Sequence, residues 1–518
     1  MGDTHQELLH ELKQKRTQAR LGGGQKRIDA QHAKGKLSAR ERIHQLVDEG
    51  TFREIDSYWT HRHSDFGMDE KRFEGDSVVV GFGKIGGRMV CIYSQDFTVM
   101  GGSFSEVQGQ KVAKIMDLAM DSGVPVIGIM DSVGARIQEG VYSLAAYSEL
   151  FWRNTQASGV VPQISVMVGP CAGGSVYSPG LTDFVIMTEG LSHMFITGPA
   201  VIETVTREKV DMDSLGGTMV HNSISGVAHF AAQDEADAFA TTRKLVSYLP
   251  LNNKEKPPVI SPEDDPWRLE ESLNAVVPTD SSEGYDVHAV INGVFDLGSF
   301  MEVHEHFAPN AVVGFARLHG QSVGVIANQP MYKAGVLDID AADKIARFVR
   351  FCDAFNFPLI TFVDTPGFMP GVNQEHGGII RHGAKIVYAY SEATVPKLAV
   401  ITRKAYGGAY IVMSSKYIRT DLVYAWPTAE VAVMGAEGAV NILYAKQIKE
   451  MENPEQATAQ FVGEFREKFS KPYNVAASGH VDEILVPAET RPRLIAALEL
   501  LRDKNVCGPD KKHGNMPM

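Results

Sequence analysis

Cysteine is scarce and scattered. Cys91, Cys171, Cys352 and Cys507 are the four in 518 residues, and no two stand as C-x-x-C. That spacing excludes a zinc ribbon and a redox dithiol and fits free thiols in a reducing compartment. Long apolar runs are also lacking. No window of 18 residues is apolar without charge, so no segment is expected to span a membrane. The opening Met1-Gly2-Asp3-Thr4-His5 has no apolar signal region, and a cytoplasmic location is expected. Positive charge is not in surplus. A net charge of −13, without interleaved basic and aromatic residues, argues against a nucleic-acid surface. No G-x-S-x-G occurs, and no Ser-His-Asp arrangement is signalled.

What the chain does have is repetition. Val80-Gly81-Phe82-Gly83-Lys84-Ile85-Gly86-Gly87 returns as Val313-Gly314-Phe315-Ala316-Arg317-Leu318-His319-Gly320. Val124-Pro125-Val126-Ile127-Gly128-Ile129-Met130-Asp131 returns as Phe357-Pro358-Leu359-Ile360-Thr361-Phe362-Val363-Asp364. Both pairs share one offset, since 313 − 80 and 364 − 131 are each 233, and Lys111 and Lys344 share it too. Ala172-Gly173-Gly174 and Tyr406-Gly407-Gly408 follow one residue later, at 407 − 173 = 234. A register held this long means two copies of one domain, and 518 residues suffice for a deep core in each.

The expected organisation is an N-terminal domain over 1–255, a polar, Pro-rich linker over 256–272 and a C-terminal domain over 273–518. Residues 6–20 read as an exposed helix stopped by Gly22-Gly23-Gly24. Ser38-Ala39-Arg40-Glu41 reads as a capping box. Residues 77–99 read as strand, turn, strand, followed by a helix over 107–120 with Val112, Ile115, Met116 and Ala119 on one face. The short apolar run 124–130 reads as a strand buried on both faces. Helix 141–156, strand 162–168 and a helix from 173 complete the first copy. Helix 340–355, strand 358–363, helix 376–392, strand 396–402 and a helix from 407 repeat the order. This is an α/β layout in which loops at strand ends are open to ligands.

Both glycine pairs fall between a strand and a helix. Such a turn exposes consecutive N–H groups at the positive end of the helix dipole and can hold a developing thioester enolate. Tight helix–strand packing is the competing explanation. Two matched pairs predict an enzyme that stabilises two oxyanions from two partners. Gly81-Phe82-Gly83-Lys84-Ile85-Gly86 matches G-x-G-x-x-G but lies between strands, outside the dinucleotide context. Asp131 and Asp364, just after buried strands, are expected to accept backbone N–H bonds, with a general-base role as the other reading. His376 and His382 lack enough nearby carboxylates or thiols for a metal site, and no metal is expected. Lys13, Lys15, Arg16, Arg20, Lys26, Arg27, Lys34, Lys36 and Arg40 make a basic stretch. It reads either as a solvated face or as a clamp for an anionic nucleotide such as coenzyme A.

Asp131-Ser132-Val133-Gly134-Ala135-Arg136-Ile137-Gln138-Glu139-Gly140, Gly169-Pro170-Cys171-Ala172-Gly173-Gly174, Asp364-Thr365-Pro366-Gly367-Phe368, Gly407-Gly408-Ala409-Tyr410 and the ending Lys511-Lys512-His513-Gly514-Asn515 resemble one family. It is the carboxyltransferase (beta) subunits of biotin-dependent acyl-CoA carboxylases, of the acetyl/propionyl-CoA carboxylase type. The resemblance covers residues 10–518. It implies tandem duplicated crotonase-like (ClpP/crotonase) ββα-superhelix domains, which periodicity alone does not distinguish from an open sheet. It further implies acyl-CoA on the N-terminal domain and carboxybiotin on the C-terminal domain of a second subunit. The implied assembly is a homo-hexamer joined by an alpha subunit bearing biotin carboxylase and the biotin carboxyl carrier, where ATP and magnesium are used.

Carried over by the same resemblance, the N–H groups of Gly173 and Gly174 hold the enolate, and those of Gly408 and Ala409 hold the ureido oxygen of biotin. Arg20, Lys26, Arg27, Gly134, Ala135, Arg136, Ala172 and Ile411 are implied on the acyl-CoA side, and Pro366, Gly367, Phe368, Tyr406 and Gly407 on the biotin side. Carboxybiotin then releases CO2, its freed nitrogen takes the alpha proton, and the enolate attacks CO2, so no side-chain base is needed. Two departures stand out: Val133, where many relatives have Gly, and Ile411, where propionyl-preferring relatives tend to Asp and acetyl-accepting ones to Ile. A mixed acetyl/propionyl preference is the resulting expectation. No M-K-M and no ATP-grasp signature occur, so biotinylation and ATP use are expected on the partner. Three alternatives stay open: the carboxyltransferase subunit of a sodium-pumping methylmalonyl-CoA decarboxylase, a carboxylase of branched acyl groups, and a non-catalytic assembly subunit.

Overall fold

A computed structural model describes residues 4–262 and 264–518. The chain divides into two compact units, residues 1–255 and 256–518. The first unit holds β1 (Arg53–Ile55), β2 (Val78–Ile85), β3 (Arg88–Gln95), β4 (Val126–Ser132), β5 (Gln163–Ala172), β6 (Phe184–Thr188), β7 (His193–Phe195) and β8 (Phe230–Ala232). They form a sheet ordered β1-β2-β3-β4-β5-β6-β8, with β7 paired to the far end of β5. The first three strands are antiparallel, and the pairings from β3 onward are parallel.

The second unit repeats this plan. Its strands are β9 (Met301–Val303), β10 (Ala311–Leu318), β11 (Gln321–Asn328), β12 (Leu359–Thr365), β13 (Lys397–Tyr406), β14 (Leu422–Ala425), β15 (Glu430–Ala432) and β16 (Glu483–Ile484). Their order is β9-β10-β11-β12-β13-β14-β16, with β15 on the far end of β13. The register irregularity between Met130 and Ser132 recurs between Val363 and Thr365, at the same place in each copy.

The reasons for the elements are local. Every residue of β4 and of β12 is buried, as a parallel strand covered on both faces requires. Helix Glu106–Ser122 begins where the Ser105 hydroxyl accepts the Gln108 N–H. Helix Ile339–Ala354 begins where Asp338, at the same repeat position, accepts the Ala341 N–H. Val112, Ile115, Met116 and Ala119 all face the first core, and each larger one contributes about 1.5–3 kcal/mol by burial. At Ser38 the backbone N–H donates to Glu41 at 2.7 Å, forming the capping box.

The repeat extends to Lys111 and Lys344, both buried. Lys111 donates to the carbonyls of Gly75 and Val78 at 2.6 Å, and Lys344 to those of His304 and Phe307 at 2.9 and 2.8 Å. Burial pulls both ammonium groups down to about 8.

Several elements depart from the sequence expectation. β5 and β13 run four residues further, so the glycine pairs begin at the strand ends. The helix expected from 173 is a tight 3-10 turn, Gly173–Val176, followed by the short helix Tyr177–Leu181. The helix expected over 376–392 is two, Val372–Gly377 and Ile379–Glu392. Gly378 between them takes φ +92°, which a continuous helix cannot accommodate. Residues 256–272 run along the second unit. Arg268 there pairs with Asp264 and donates to the carbonyls of Gly293 and Phe295.

Candidate active site

In the first unit β5 delivers Ala172 to the turn Gly173–Val176. The first two N–H groups of a 3-10 turn have no acceptor within it, and here they belong to Gly173 and Gly174. Gly173 has φ +68°, so a side chain would strain it. Gly174 has no such constraint, and a Cβ built on it would meet nothing within 4 Å among the described residues. Among the described residues neither conformation nor packing demands glycine at 174.

The second unit divides these duties in the same way. β13 leads into the helix Gly407–Val412, whose first N–H groups, on Gly407, Gly408 and Ala409, lack helical acceptors. Gly407 has φ +57°. Gly408 is unconstrained, and its nearest atom would be 4.0 Å away, on the ring of Phe368. Among the described residues no packing contact within 3.9 Å calls for glycine at either second position.

Around the first turn, Gly134 takes φ +108°, and a Cβ on it would lie 3.2 Å from the Ala172 carbonyl oxygen. The 131–136 loop thus rests on the residue that starts the turn. Phe104 ties it down: its N–H donates to the Gly134 carbonyl at 2.8 Å, and its carbonyl accepts the Arg136 N–H at 2.9 Å. Ala135 and Phe104 form a parallel bridge. Phe368 and Leu337 form its counterpart around the second turn, where the Gly367 carbonyl accepts the Leu337 N–H at 3.0 Å. Pro366 and Gly367 are half-buried beside Phe368.

Arg136 does not reach the open face. It is 1% exposed and donates to Asp76 at 3.1 Å, Glu139 at 3.0 Å and the Ser103 hydroxyl at 3.1 Å. Burial alone would raise the Asp76 carboxyl, but Arg136 and the Ser77 hydrogen bonds turn the net shift downward. Its guanidinium donors are thus committed inside the protein, where they brace the 131–136 loop.

Part of the basic stretch is engaged internally. Arg40 forms a bidentate pair with Glu54, at 3.0 and 2.7 Å. Lys36 pairs with Asp131 at 2.7 Å. The exposed Arg27 donates to the Thr98 carbonyl at 3.0 Å and lies 5.3 Å from the Phe73 ring centre. Arg20 and Lys26 are exposed. The elbow between Arg20 and Lys26 packs on Thr98, since a Cβ on Gly23 would lie 1.9 Å from the Thr98 carbonyl oxygen. Gly101, three residues on, touches Val133, so the elbow and the 131–136 loop are neighbours through one short segment. Ile411 is 49% exposed, four residues past Gly407.

Neither strand-end aspartate is placed to take a proton from a ligand. Asp131 is fully buried and ion-paired with Lys36 and with Arg42, which also binds Glu235 at 2.7 Å. Asp364 is held by Arg403 at 3.0 Å and accepts the Lys404 N–H at 3.1 Å. Only Asp364 thus plays the expected backbone-accepting role on the far side of its strand. Arg403 lies 234 residues beyond Gly169, whose added Cβ would overlap Asp131. The first unit therefore recruits its cations from the N-terminal segment instead. Sequence spacing does not reveal this long-range ion cluster, though the missing cation at position 169 is a visible hint.

Cys171 is buried, and burial pushes its thiol up to about 12, so it is no nucleophile. His382 is hydrogen-bonded to Asp343 at 2.8 Å. No grouping of three or more His, Cys, Asp or Glu among the described residues could hold a metal ion. No helix among the described residues is long and apolar enough to cross a membrane.

Comparison with known proteins places this geometry. The family model described as the carboxyl transferase domain matches residues 30–516. A carboxyltransferase subunit of propionyl-CoA carboxylase from Haloferax mediterranei is 56% identical, over 99% of this chain and 100% of its own. The alpha subunit of methylmalonyl-CoA decarboxylase from Veillonella parvula is 53% identical, over 99% of this chain and 98% of its own. The crystal structure of transcarboxylase 12S, a hexamer with methylmalonyl-coenzyme A and methylmalonic acid bound, superposes with a TM-score of 0.97 at 49% identity. That match covers 100% of this chain and 99% of the other.

Proposed function

The chain belongs to the carboxyl transferase domain family, and from that premise we propose that it moves a carboxyl group between carboxybiotin and the alpha carbon of a short acyl-CoA. Acetyl-CoA and propionyl-CoA would give malonyl-CoA and methylmalonyl-CoA. The observation that carries this reading is the pair of turns in which glycine is required once for conformation and once for access. The ClpP/crotonase-type duplication supplies one turn per unit.

In this reading the acyl-CoA unit is 1–255, followed by the 256–272 segment and the biotin unit 273–518. The Gly173 and Gly174 N–H groups donate to the thioester oxygen as it gains charge, and the Gly408 and Ala409 N–H groups do the same for the ureido oxygen. The donor chemistry fits: both groups present a carbonyl oxygen that becomes more negative, and both turns present unpaired backbone donors with an open approach. Carboxybiotin, carried on a partner alpha subunit, supplies the activated carboxyl group and, once discharged, a nitrogen base. The chain's own part is to bind, orient and polarise, and the sequestered Asp131 and Asp364 accord with a reaction that asks no side chain for a base.

On the acyl-CoA side this reading assigns Arg20, Lys26, Arg27, Ala172, Gly134 and Ala135. Pro366, Gly367, Phe368, Tyr406 and Gly407 line the biotin side. The apolar Ile411, assigned to the acyl-CoA side in this reading, would favour a mixed acetyl/propionyl preference, since a methylene is discriminated by about 1–3 kcal/mol. A cytoplasmic homo-hexamer is the proposed assembly, by analogy with the transcarboxylase 12S hexamer.

The test is decarboxylation of malonyl-CoA and methylmalonyl-CoA by the full chain with free biotin. Biotin-dependent turnover of both at similar efficiency is expected. Turnover of methylmalonyl-CoA alone would remove the broad pocket, and turnover of neither would remove the catalytic reading.

A further inference from the structure

The two glycine turns pose a mechanical problem. An oxyanion hole works by being rigid before charge develops, yet consecutive glycines are the least restrained backbone a chain can have. The open side of Gly173 and Gly174 has no described atom within 4 Å of an added Cβ, so nothing packs on the turn from the front. Restraint must come from its flanks.

On the first turn it comes from behind. Ser175, the third residue, is 2% exposed, and its hydroxyl is hydrogen-bonded to the phenol of Tyr147. Tyr147 projects from helix Val141–Ala157 and is itself locked. Its ring stacks on Phe104, with centres 4.0 Å apart and planes 14° from parallel, and Phe151 lies on it at 5.9 Å. Phe104 is the residue that ties down Gly134 and Arg136. One aromatic stack therefore holds both the enolate turn and the loop beside it.

The second turn lacks this device. The 234-residue offset places Ala409 where Ser175 stands and Tyr406 where Ala172 stands. Ala409 has no hydroxyl to anchor. Instead the Tyr406 phenol, ahead of the glycines, donates to the Glu430 carboxylate. Glu430 lies on β15, whose parallel pairing with β13 sets Lys404 opposite Glu430 and Tyr406 opposite Ala432.

We infer that the two turns are held by different anchors on opposite flanks, Tyr147–Ser175 after the acyl-CoA turn and Tyr406–Glu430 before the biotin turn, and that each is a positioning pair for its own turn alone. The inference rests on the oxyanion roles proposed above for its catalytic consequences, but the rigidity it assigns can be read without them.

The test uses the full chain, with free biotin and methylmalonyl-CoA. Tyr147→Phe keeps the ring stack and removes only the hydroxyl. Its kcat is expected to fall on the order of 10-fold, below the 10²–10³ typical of losing a donor outright, with KM for methylmalonyl-CoA and for biotin within about 2-fold. Ser175→Ala should do the same, and the double variant should be no worse than either single one. Tyr147→Phe combined with Tyr406→Phe should lose activity multiplicatively, because the anchors act on separate turns. Glu430→Gln, which keeps an acceptor oxygen, should retain more kcat than Glu430→Ala.

Amide hydrogen exchange gives the readout that needs no activity. Exchange over residues 172–176 should quicken in Tyr147→Phe and stay as in the parent in Tyr406→Phe, with the reverse over 406–410. Unchanged exchange in both variants, or additive losses for Tyr147→Phe with Ser175→Ala, would overturn the anchors. An inactive parent chain whose exchange follows the pattern would overturn the functional reading and leave the anchors standing.

Discussion

At the scale of single residues, the glycines separate into those whose backbone conformation calls for glycine and those with neither strain nor a close neighbour. Gly173→Ala places a side chain at φ +68° and should cost about 1–2 kcal/mol of stability. Gly174→Ala meets no described atom, so its unfolding midpoint should match the parent. Its biotin-dependent decarboxylation should nevertheless fall about 100-fold, because the added methyl occupies the space a thioester oxygen would take. Denaturant titration and turnover on the same two proteins check this. Equal activity losses with equal stability losses would mean that both glycines serve the fold. Glycine content announces none of this. Gly173 and Gly174 are adjacent identical letters, and only their φ angles and surroundings tell them apart.

At the scale of elements, the informative comparison is between β4 and β12. Each carries a buried aspartate one residue before its end, yet Asp131 takes its cations from Lys36 and Arg42 while Asp364 takes Arg403 from the adjacent strand. Arg42 sits on helix Ala39–Leu46 and bridges Asp131 to Glu235 on helix Glu235–Tyr248. Arg42→Met leaves Glu235 buried without its cation and Asp131 with Lys36 alone. It is expected to destabilise the first unit by about 3–5 kcal/mol, measured as a lowered urea midpoint. Glu235→Gln on that background should recover part of the loss. The strand–helix alternation was legible from apolar periodicity, and so was the capping box at Ser38. The break at Gly378 was not, because the apolar periodicity begins only at Ile379 and leaves no pattern for the break to interrupt. The extension of β5 and β13 was not either, because the added residues Gly169-Pro170-Cys171-Ala172 look like a loop until β7 pairs with them.

At the scale of the whole chain, ionisation couples to stability in opposing directions. His288 lies between Glu302 and Asp286, at 2.7 Å from each. The Glu302 hydrogen bond, with Asp286 in support, raises its imidazole to about 9. Protons are then held more tightly in the folded chain, so this contribution is complete below the ordinary histidine pKa of about 6.5 and disappears as the pH passes 9. Lys111 and Lys344, lowered to about 8 by burial, act the other way: their cost is greatest below 8 and is relieved as the pH rises toward the ordinary lysine value. His288→Gln should therefore lower the thermal midpoint at pH 6 and leave it close to the parent at pH 10. A deficit that is the same at both pH values would show that the imidazolium adds nothing beyond packing.

The sequence by itself determined that there are two copies of one α/β domain, where the glycine turns lie along the chain and which family the motifs resemble. Those properties are carried by residue order, offset and periodicity, which survive without coordinates. Tertiary structure decided what each residue is for. It put Arg136 into a buried network, closed Asp131 and Asp364 behind ion pairs, and engaged Arg27, Lys36 and Arg40 of the basic stretch in internal bonds. It also set Tyr147 behind one turn and Tyr406 beside the other. The physical reason is the same in each case. Hydrogen bonds and ion pairs join residues tens to hundreds of positions apart, and burial decides which charged groups remain available, and neither distance nor burial is written in the spacing of letters.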